Sequence, residues 1–248
     1  MVCRSNLIKI YEKEVLYINK CIVVEPEIEG NLGFLARTMA NFNFKKLILV
    51  NPKIKIGEEA RNRAVHAQDI LDNVKIVGKL EEALELVDFG IGTTGLEADS
   101  SSNVLRNTMD VREMAKRAGE VEGDIGIVLG RESKGLSNEE LSMCDMVVKV
   151  PTSDDYPVMN ITHAAGIVFY EIFREKSVEA TKASSRGEKK YVKHIFKSIA
   201  DNLDYSEDET DRIMQCLNNF IGRSFLDKKE ANTLIGFFKE VEKNFEGD

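Results

Sequence analysis

Short apolar runs alternate with longer segments whose apolar residues recur every three or four positions, from Lys20 to about Arg174. The short runs are typical of buried strands, and the longer spacing is typical of helices with one buried face. The predicted strands are 21–25, 47–50, 74–77, 87–92, 125–129 and 146–150. One predicted helix follows Asn31, and three more span about 58–72, 80–87 and 110–118. The last two begin at Ser137 and after Asn160. This alternation predicts a parallel sheet covered by helices on both faces.

The remaining segments lack this alternation. Residues 1–19 have a mixed pattern that fits a strand or a hairpin, and the polar stretch 96–107 is predicted to be a long loop. Residues 174–190 are rich in Lys, Glu, Ala and Ser, and beyond them only helical patterns occur. We therefore predict an α/β domain at 1–175 with an extension of unknown role at 1–19, a linker at 176–189 and a small all-helical domain at 190–248. A helical unit of about 60 residues is marginally stable alone, so we expect it to dock or to dimerise.

Composition narrows the class of protein. Of the 248 residues, 43% are hydrophobic, which is enough for a substantial core. No apolar run is long enough for a membrane span, and the first 20 residues lack the features of a signal peptide. The cysteines Cys3, Cys21, Cys144 and Cys216 are scattered, as are the three histidines, so we expect no metal site and a reduced, cytoplasmic protein.

The charge distribution leaves room for one basic surface. The formal net charge of −8 argues against a protein that binds nucleic acid over its whole surface. Between Lys182 and Lys197, however, six basic residues stand against one acidic residue, Glu188, which gives a local net charge of +5. This segment is either a phosphate-contacting surface or an ordinary solvated helix face, and composition does not separate the two.

Four stretches carry candidate chemistry. The stretch 147–170 places a polar loop between a buried strand and a helix, which is where open α/β sheets bind ligands; its alternative is one more βα unit. The glycine-rich stretch 90–95 satisfies G-x-G-x-x-G, but no helix pattern follows its last glycine, so a flexible turn beside a ligand fits better than a dinucleotide site. In 30–37, two glycines and Asn31 open a helix, whose amino end suits an anion. In 129–136, Gly130 permits close approach to a ligand, and Arg131 and Glu132 are either functional or an exposed ion pair.

In this order and spacing the stretches form a specific combination. N-x-G-x-x-x-R at 31–37, L-G-R-E-x-x-G-L at 129–136 and V-P with Y-x-x-M-N at 150–160 resemble the three motifs of the SPOUT superfamily of RNA ribose 2′-O-methyltransferases. Within that superfamily, the chain is most similar to the tRNA enzymes that act on nucleotide 32 of the anticodon loop. The resemblance covers roughly residues 20–173. It implies a deep trefoil knot at the C-terminal end of the α/β domain, S-adenosylmethionine (AdoMet) as cofactor, an obligate homodimer and a helical tail that helps to bind tRNA.

The resemblance also implies a set of site residues. Main-chain groups expected to hold AdoMet belong to Thr93, Thr94, Gly95, Gly130, Val150, Pro157, Val158 and Met159. The expected catalytic residues are Arg37, Asn31, Glu132 and Asn160. Arg37 is expected to reach the partner's cofactor, and Asn31 to position Arg37 or the ribose. Glu132 is expected to orient its loop or Arg131, and Asn160 to hold the knot loop. The expected RNA-binding residues are Arg37, Arg131, Arg186, Lys189, Lys190 and Lys193.

One position departs from the family pattern. Val158 stands where bacterial relatives carry a serine credited with substrate contact or proton handling. Main-chain binding of a cofactor survives this change, but a mechanism that needs the hydroxyl does not. The alternatives are therefore a ribose methyltransferase for another tRNA position or for rRNA, and a non-catalytic RNA-binding protein of the same fold. A Rossmann oxidoreductase is a third, weaker alternative.

Overall fold

The computed structural model describes residues 19–95, 108–175 and 181–246. The N-terminal extension before residue 19, the predicted loop 96–107 and the first part of the predicted linker, 176–180, lie outside these ranges. The strands are β1 (Lys20–Val24), β2 (Lys46–Val50), β3 (Lys75–Val77), β4 (Phe89–Thr94), β5 (Met109–Asp110), β6 (Val121–Glu122), β7 (Ile125–Leu129), β8 (Met146–Lys149) and β9 (Thr181–Lys182). The helices are α1 (Glu29–Asn41), α2 (Glu58–Ala64), α3 (Gln68–Asp72), α4 (Leu80–Leu84), α5 (Val111–Gly119), α6 (Asn138–Met143), α7 (Ile161–Arg174), α8 (Arg186–Asp201), α9 (Glu207–Ser224) and α10 (Lys228–Glu246).

A seven-stranded parallel sheet in the order β3-β2-β1-β7-β4-β8-β5 organises the molecule. Along β1, Cys21 and Val23 pack into one hydrophobic cluster, whereas Ile22 and Val24 pack into another. The first cluster includes residues of α1, α2, α3, α5 and α7, and the second includes residues of α4. Both faces of the sheet are therefore covered. The predicted fold class, a parallel α/β sheet followed by helices, is confirmed; the trefoil knot stays a prediction.

Some local features differ from the sequence pattern. The helix predicted at 58–72 is two helices, because the chain turns at Val65, whose φ of 55° is rare for a β-branched residue. The two-residue strand β5 was not predicted, because two residues show no periodicity. Asp110, at the end of β5, caps α5 by accepting a hydrogen bond from the Arg112 N–H at 2.8 Å.

Helix starts follow the capping signals in the sequence. The capping boxes of Ser137 with Glu140 and of Ser206 with Glu209 are both formed, as predicted. Ser185 and Glu188 form a third box, so α8 begins at Arg186 and the predicted linker boundary at residue 189 is wrong. Its signal, S-x-x-E at 185–188, was present within the segment that composition had marked as a linker. Among the helices that the structure describes, none is long and apolar enough to cross a membrane.

The helical segment α8–α10 has a small core of its own and docks on the sheet. Val192, Ile221, Leu226 and Ala231 form that core. The Phe225 ring, beyond α9, lies 4.9 Å from the ring of Phe89, at the start of β4. The helices therefore contact the amino ends of the strands, as expected for a unit too small to be stable alone.

A buried ion pair completes this contact. Lys189 of α8 is 1% exposed, and its Nζ lies 2.9 Å from Oδ1 of Asp145, which precedes β8. The same ammonium donates to the Asp88 carbonyl and lies 3.8 Å from the Phe89 ring centroid. Burial lowers the pKa of Lys189 to about 8, although the charge of Asp145 opposes the shift. Burial would raise the pKa of Asp145, but Lys189 and the Gly90 N–H outweigh it and lower the pKa.

We predict that Lys189→Met destabilises the protein by about 3 kcal/mol, because it leaves the Asp145 carboxylate buried without its closest cation. This loss of stability is at the low end for a broken buried ion pair, because the Arg186 guanidinium remains 3.5 Å from Asp145. The measurement is urea denaturation of the full chain. Lys190→Met is the control: Lys190 is exposed and pairs with Glu85 at the surface, so its loss costs less than about 1 kcal/mol. Equal effects of the two variants would contradict the prediction, and adding Asp145→Asn to Lys189→Met should recover part of the loss.

Candidate active site

The predicted cofactor residues lie on segments at one edge of the sheet. Thr93 and Thr94 end β4, Gly130 follows β7, and Val150 follows β8. β4 pairs with both β7 and β8, and all three are parallel, so their carboxyl ends are neighbours. This is the edge at which open α/β sheets bind ligands. Gly90 and Gly92 lie inside β4, so the flexible turn expected at these glycines is wrong.

The segment after β4 meets the loop 151–160. A Cβ on Gly95 would lie 3.2 Å from the Pro157 carbonyl oxygen, so a side chain there would crowd the loop. The same carbonyl accepts a hydrogen bond from the Thr152 hydroxyl at 3.2 Å. Val158 is 57% exposed, whereas Met159 packs on the core. The two segments thus meet through main chain, and the Val158 side chain takes no part in that contact.

The loop after β7 folds back on itself. A Cβ on Gly130 would lie 2.1 Å from the Gly135 carbonyl carbon, so only glycine fits. Arg131 and Gly135 exchange main-chain hydrogen bonds of 3.2 and 2.9 Å, and Gly135 has a φ of 67°. The close approach at Gly130 is therefore to its own loop, whereas the sequence suggested a ligand. Likewise, a Cβ on Gly33 would lie 2.2 Å from the Ala60 carbonyl oxygen, so this glycine packs α1 on α2.

Three of the predicted catalytic residues form one hydrogen-bonded network. Asn31, buried in the first turn of α1, donates from Nδ2 to Glu132 Oε1 at 3.0 Å. Its Oδ1 accepts from Asn160 Nδ2 at 3.4 Å. Glu132 also accepts from the Glu27 N–H at 2.9 Å, and Asn160 caps α7 by accepting from the Thr162 N–H at 2.8 Å. The network connects all three sequence motifs at the carboxyl edge of the sheet.

Arg131 has partners other than the predicted ones. Its Nε donates to Glu25 at 2.7 Å, and its terminal nitrogens bind both oxygens of Glu140 at 2.8 and 2.9 Å. All three nitrogens are thus engaged, so Arg131 holds its loop in place; its assignment as an RNA-binding residue stays a prediction. Glu132 accepts hydrogen bonds from Asn31 and from the Glu27 N–H, whereas the sequence suggested that it orients its own loop or Arg131.

Sequence reasoning missed Glu25 and saw Glu140 only as a helix cap. Glu25, after β1, also binds Lys53 at 2.9 Å and Asn51 at 2.6 Å. Lys53 first and Arg131 second lower the pKa of Glu25 to about 2, and Arg131 lowers that of Glu140. The available signal was positional, because Glu25 ends one parallel strand and Arg131 follows the next strand in the sheet.

Arg37 lies apart from this network. It is exposed on α1, one turn after the exposed Phe34, and it makes no hydrogen bond or ion pair within residues 19–95, 108–175 and 181–246. Arg37 comes six positions after Asn31 on the same helix, which places the two on different sides. The structure of the single chain therefore does not bring Arg37 to the other predicted catalytic residues.

The basic residues of α8 lie at the opposite edge of the sheet. Lys189 is buried against Asp145, so its assignment as an RNA-binding residue is wrong. The Arg186 guanidinium lies near both Asp145 and Glu85, and Lys190 pairs with Glu85. Lys193 is half-buried, and burial lowers its pKa. Since Asp145 precedes β8, this segment lies at the amino ends of the strands; RNA binding by Arg186, Lys190 and Lys193 stays a prediction.

Comparison with known proteins agrees with the fold. Residues 20–170 match the model of the SpoU rRNA Methylase family. The tRNA (cytidine-2′-O-)-methyltransferase TrmJ of Methanocaldococcus jannaschii is 37% identical over 224 residues, covering 88% of this chain and 97% of that protein. TrmJ of Sulfolobus acidocaldarius is 30% identical over 225 residues, covering 90% of this chain and 92% of that protein. The crystal structure of TrmJ from Z. mobilis ZM4 superposes with a TM-score of 0.68 at 21% identity and covers 91% and 99% of the two chains.

The family match and the TrmJ relatives identify an α/β methyltransferase. The chain belongs to the SpoU rRNA Methylase family, whose model spans more than half of it. The resemblance to SPOUT methyltransferases seen in the sequence motifs is confirmed.

We predict that acid weakens the Arg131 contacts. The pKa of Glu25 falls from 4.5 to about 2 on folding, so its stabilising effect is full above pH 4.5 and is lost as the pH falls towards 2. At pH 6, Arg131→Met should cost about 1.5–3 kcal/mol of stability, and the difference from wild type should narrow towards pH 3. Urea midpoints across this pH range measure it. Arg61→Met, which removes an exposed pair with Asp72, is the control and should cost under about 1 kcal/mol; a pH-independent Arg131→Met difference would contradict the prediction.

Proposed function

We propose that this protein transfers the methyl group of AdoMet to a ribose 2′-hydroxyl of tRNA, at nucleotide 32 of the anticodon loop. The observation that carries the proposal is the Asn31–Glu132–Asn160 network, which connects the three motifs beside the ends of β4, β7 and β8. The TrmJ relatives from M. jannaschii and S. acidocaldarius, named for ribose methylation of tRNA cytidine, support the substrate class. The cytoplasmic location stays a prediction.

The residues at the carboxyl edge suit AdoMet. The close approach of Gly95 to the Pro157 carbonyl brings the main chain of two of the expected cofactor segments together. Thr93 and Thr94, Gly130, Val150 and the segment 157–159 would hold the cofactor through main-chain groups. Because the Val158 side chain is exposed, the replacement of the family serine leaves that main chain in place. When bound, AdoMet supplies an electrophilic methyl group.

The protein's own residues would orient the attacking ribose and stabilise the developing alkoxide, while the hydroxyl proton passes to solvent. A free alcohol is a poor nucleophile, so alignment and electrostatic stabilisation dominate. Glu132 holds the Asn31 amide, and Asn160 ties the same amide to the start of α7. An arginine guanidinium keeps its positive charge at ordinary pH, so Arg37 serves as a cation for phosphate or alkoxide rather than as a base.

A homodimer supplies Arg37 to the site. Beside Arg37, α1 exposes Phe34, and the neighbouring α7 exposes Ile167, Tyr170 and Phe173. Exposed apolar groups that adjoin one another mark protein–protein contacts. Dimerisation through this face carries Arg37 across to the partner, consistent with its separation from the network of its own chain.

The first test is methyl transfer from labelled AdoMet to unmodified total tRNA, followed by nuclease mapping of the labelled nucleotide. We expect ribose label at nucleotide 32. Label at another nucleotide would keep the chemistry and correct the position, and label on rRNA alone would replace the substrate class. AdoMet binding with no transfer to any RNA would contradict the enzymatic function and favour an RNA-binding protein.

We predict that Arg37→Ala abolishes methyl transfer while AdoMet binding and stability are retained, because Arg37 is exposed and contacts neither cofactor segment of its own chain. Arg212→Ala, at an exposed arginine of α9, is the control and should keep activity. An active, folded Arg37→Ala would contradict the assignment.

Mixed dimers test whether Arg37 acts across the interface. Arg37→Ala subunits are refolded with Gly95→Val subunits, in which a side chain crowds the Pro157 carbonyl. If Arg37 acts on the partner's site, each mixed dimer holds one complete site, and random mixing restores about a quarter of wild-type activity. No restoration would show that Arg37 acts within its own chain.

A further inference from the structure

A cleft lies beside β5, the outermost strand of the sheet, between α5 and α9. Its volume is about 390 Å³, and its walls are Thr108, Met109, Glu113, Arg117, Phe220, Arg223 and Ser224. This volume is in the range of small-ligand sites. The cleft shares no residue with the network of Asn31, Glu132 and Asn160 or with the cofactor segments.

The cleft combines an aromatic surface with positive charge. Phe220 is 55% exposed. Arg117 binds the Arg223 carbonyl at 2.8 Å and Glu113 at 2.6 Å, which holds its guanidinium in the cleft. Arg223 bonds through Nε to the Asn219 carbonyl at 3.2 Å, and within the described ranges its terminal nitrogens have no partner. In a chain of net charge −8, two arginines against one glutamate make this a locally positive surface.

We propose that the cleft binds one nucleotide of the substrate RNA, with its base on Phe220 and its phosphate between Arg117 and Arg223. The inference rests on the tRNA function proposed above. Single-stranded nucleotides are held in this way, by base stacking on an aromatic ring and by a basic groove along the backbone. The terminal nitrogens of Arg223 supply donors for a phosphate.

The position of the cleft suits an RNA strand that leaves the reaction site. Met109 pairs with Val148, two residues before Val150 of the predicted cofactor segment. With strands about 4.8 Å apart and about 3.3 Å per residue, Met109 and Val150 are separated by about 8 Å. β5 is the edge strand, so the cleft extends from this point along the open side of the sheet. A ribose at the cofactor and a nucleotide in the cleft then belong to one short stretch of RNA.

The first test is Phe220→Ala in the full-length protein, with binding of unmodified tRNA as the readout. We expect the Kd to rise about fivefold or more, because stacking of one base is lost. The Kd for AdoMet and kcat at saturating tRNA should not change. Phe237→Ala is the matched control, since Phe237 is 61% exposed on α10, away from the cleft. An unchanged Kd for Phe220→Ala, or an equal change for Phe237→Ala, overturns the proposal.

The second test is the salt dependence of tRNA binding by Arg223→Gln. Loss of one phosphate contact should reduce the slope of log Kd against log salt by about 1. Arg212→Gln is the control, because Arg212 lies on the same helix and also bonds through Nε to the carbonyl four residues before it. Equal slopes for Arg223→Gln and wild type overturn the proposal, as does the same reduction in both variants.

The two proposals fail in different ways. Binding is measured without methyl transfer, so the cleft is tested even if no tRNA is methylated. If the wild-type protein methylates tRNA and the cleft variants bind tRNA as the wild type does, the proposed function stands and the cleft proposal is rejected. A changed oligomeric state of Phe220→Ala in gel filtration would instead assign the cleft to contact between copies of this chain.

Discussion

The site depends on the position of Arg131. Its guanidinium spans Glu25, at the end of β1, and Glu140, at the start of α6, so the loop after β7 is held at two points. Glu140 simultaneously caps α6, which ties the contact to the helix start. Because Glu132 directly follows Arg131, this anchoring aims its carboxylate at Asn31. The chemistry proposed for the site therefore needs the two carboxylates that sequence motifs did not include.

The two edges of the sheet have different roles. At the carboxyl edge, main-chain segments lie beside an amide–carboxylate network. At the amino edge, Lys189 and Asp145 form a buried pair that fastens the helical segment. Basic residues of α8 that looked like an RNA surface are thereby partly used for docking. A count of charges in 182–197 could not distinguish these roles, because burial depends on what packs against each side chain.

The sequence predicted features that depend on local patterns. The strands 21–25, 47–50 and 125–129 and the caps at Ser137 and Ser206 follow from apolar periodicity and short-range hydrogen bonding. Prediction from the sequence failed for contacts between residues that are distant in the chain. Glu25 and Arg131 are 106 positions apart, and Lys189 and Asp145 are 44 positions apart. The start of α8 was missed although Ser185 and Glu188 mark it, because composition was given more weight than the capping signal. The motif resemblance supplied the site residues, but not their partners.

The charge of the network supports the proposal that Arg37 comes from a second subunit. Within the described residues, the Asn31–Glu132–Asn160 network contains two neutral amides and one carboxylate, and Arg131 beside it is already engaged by two glutamates. A ribose that loses its proton becomes an anion, which this arrangement alone would repel. A cation beside the ribose, in addition to the sulfonium of AdoMet, would stabilise this anion further. Arg37, exposed beside an apolar face and separated from its own chain's network, has the charge and the position for a partner's site.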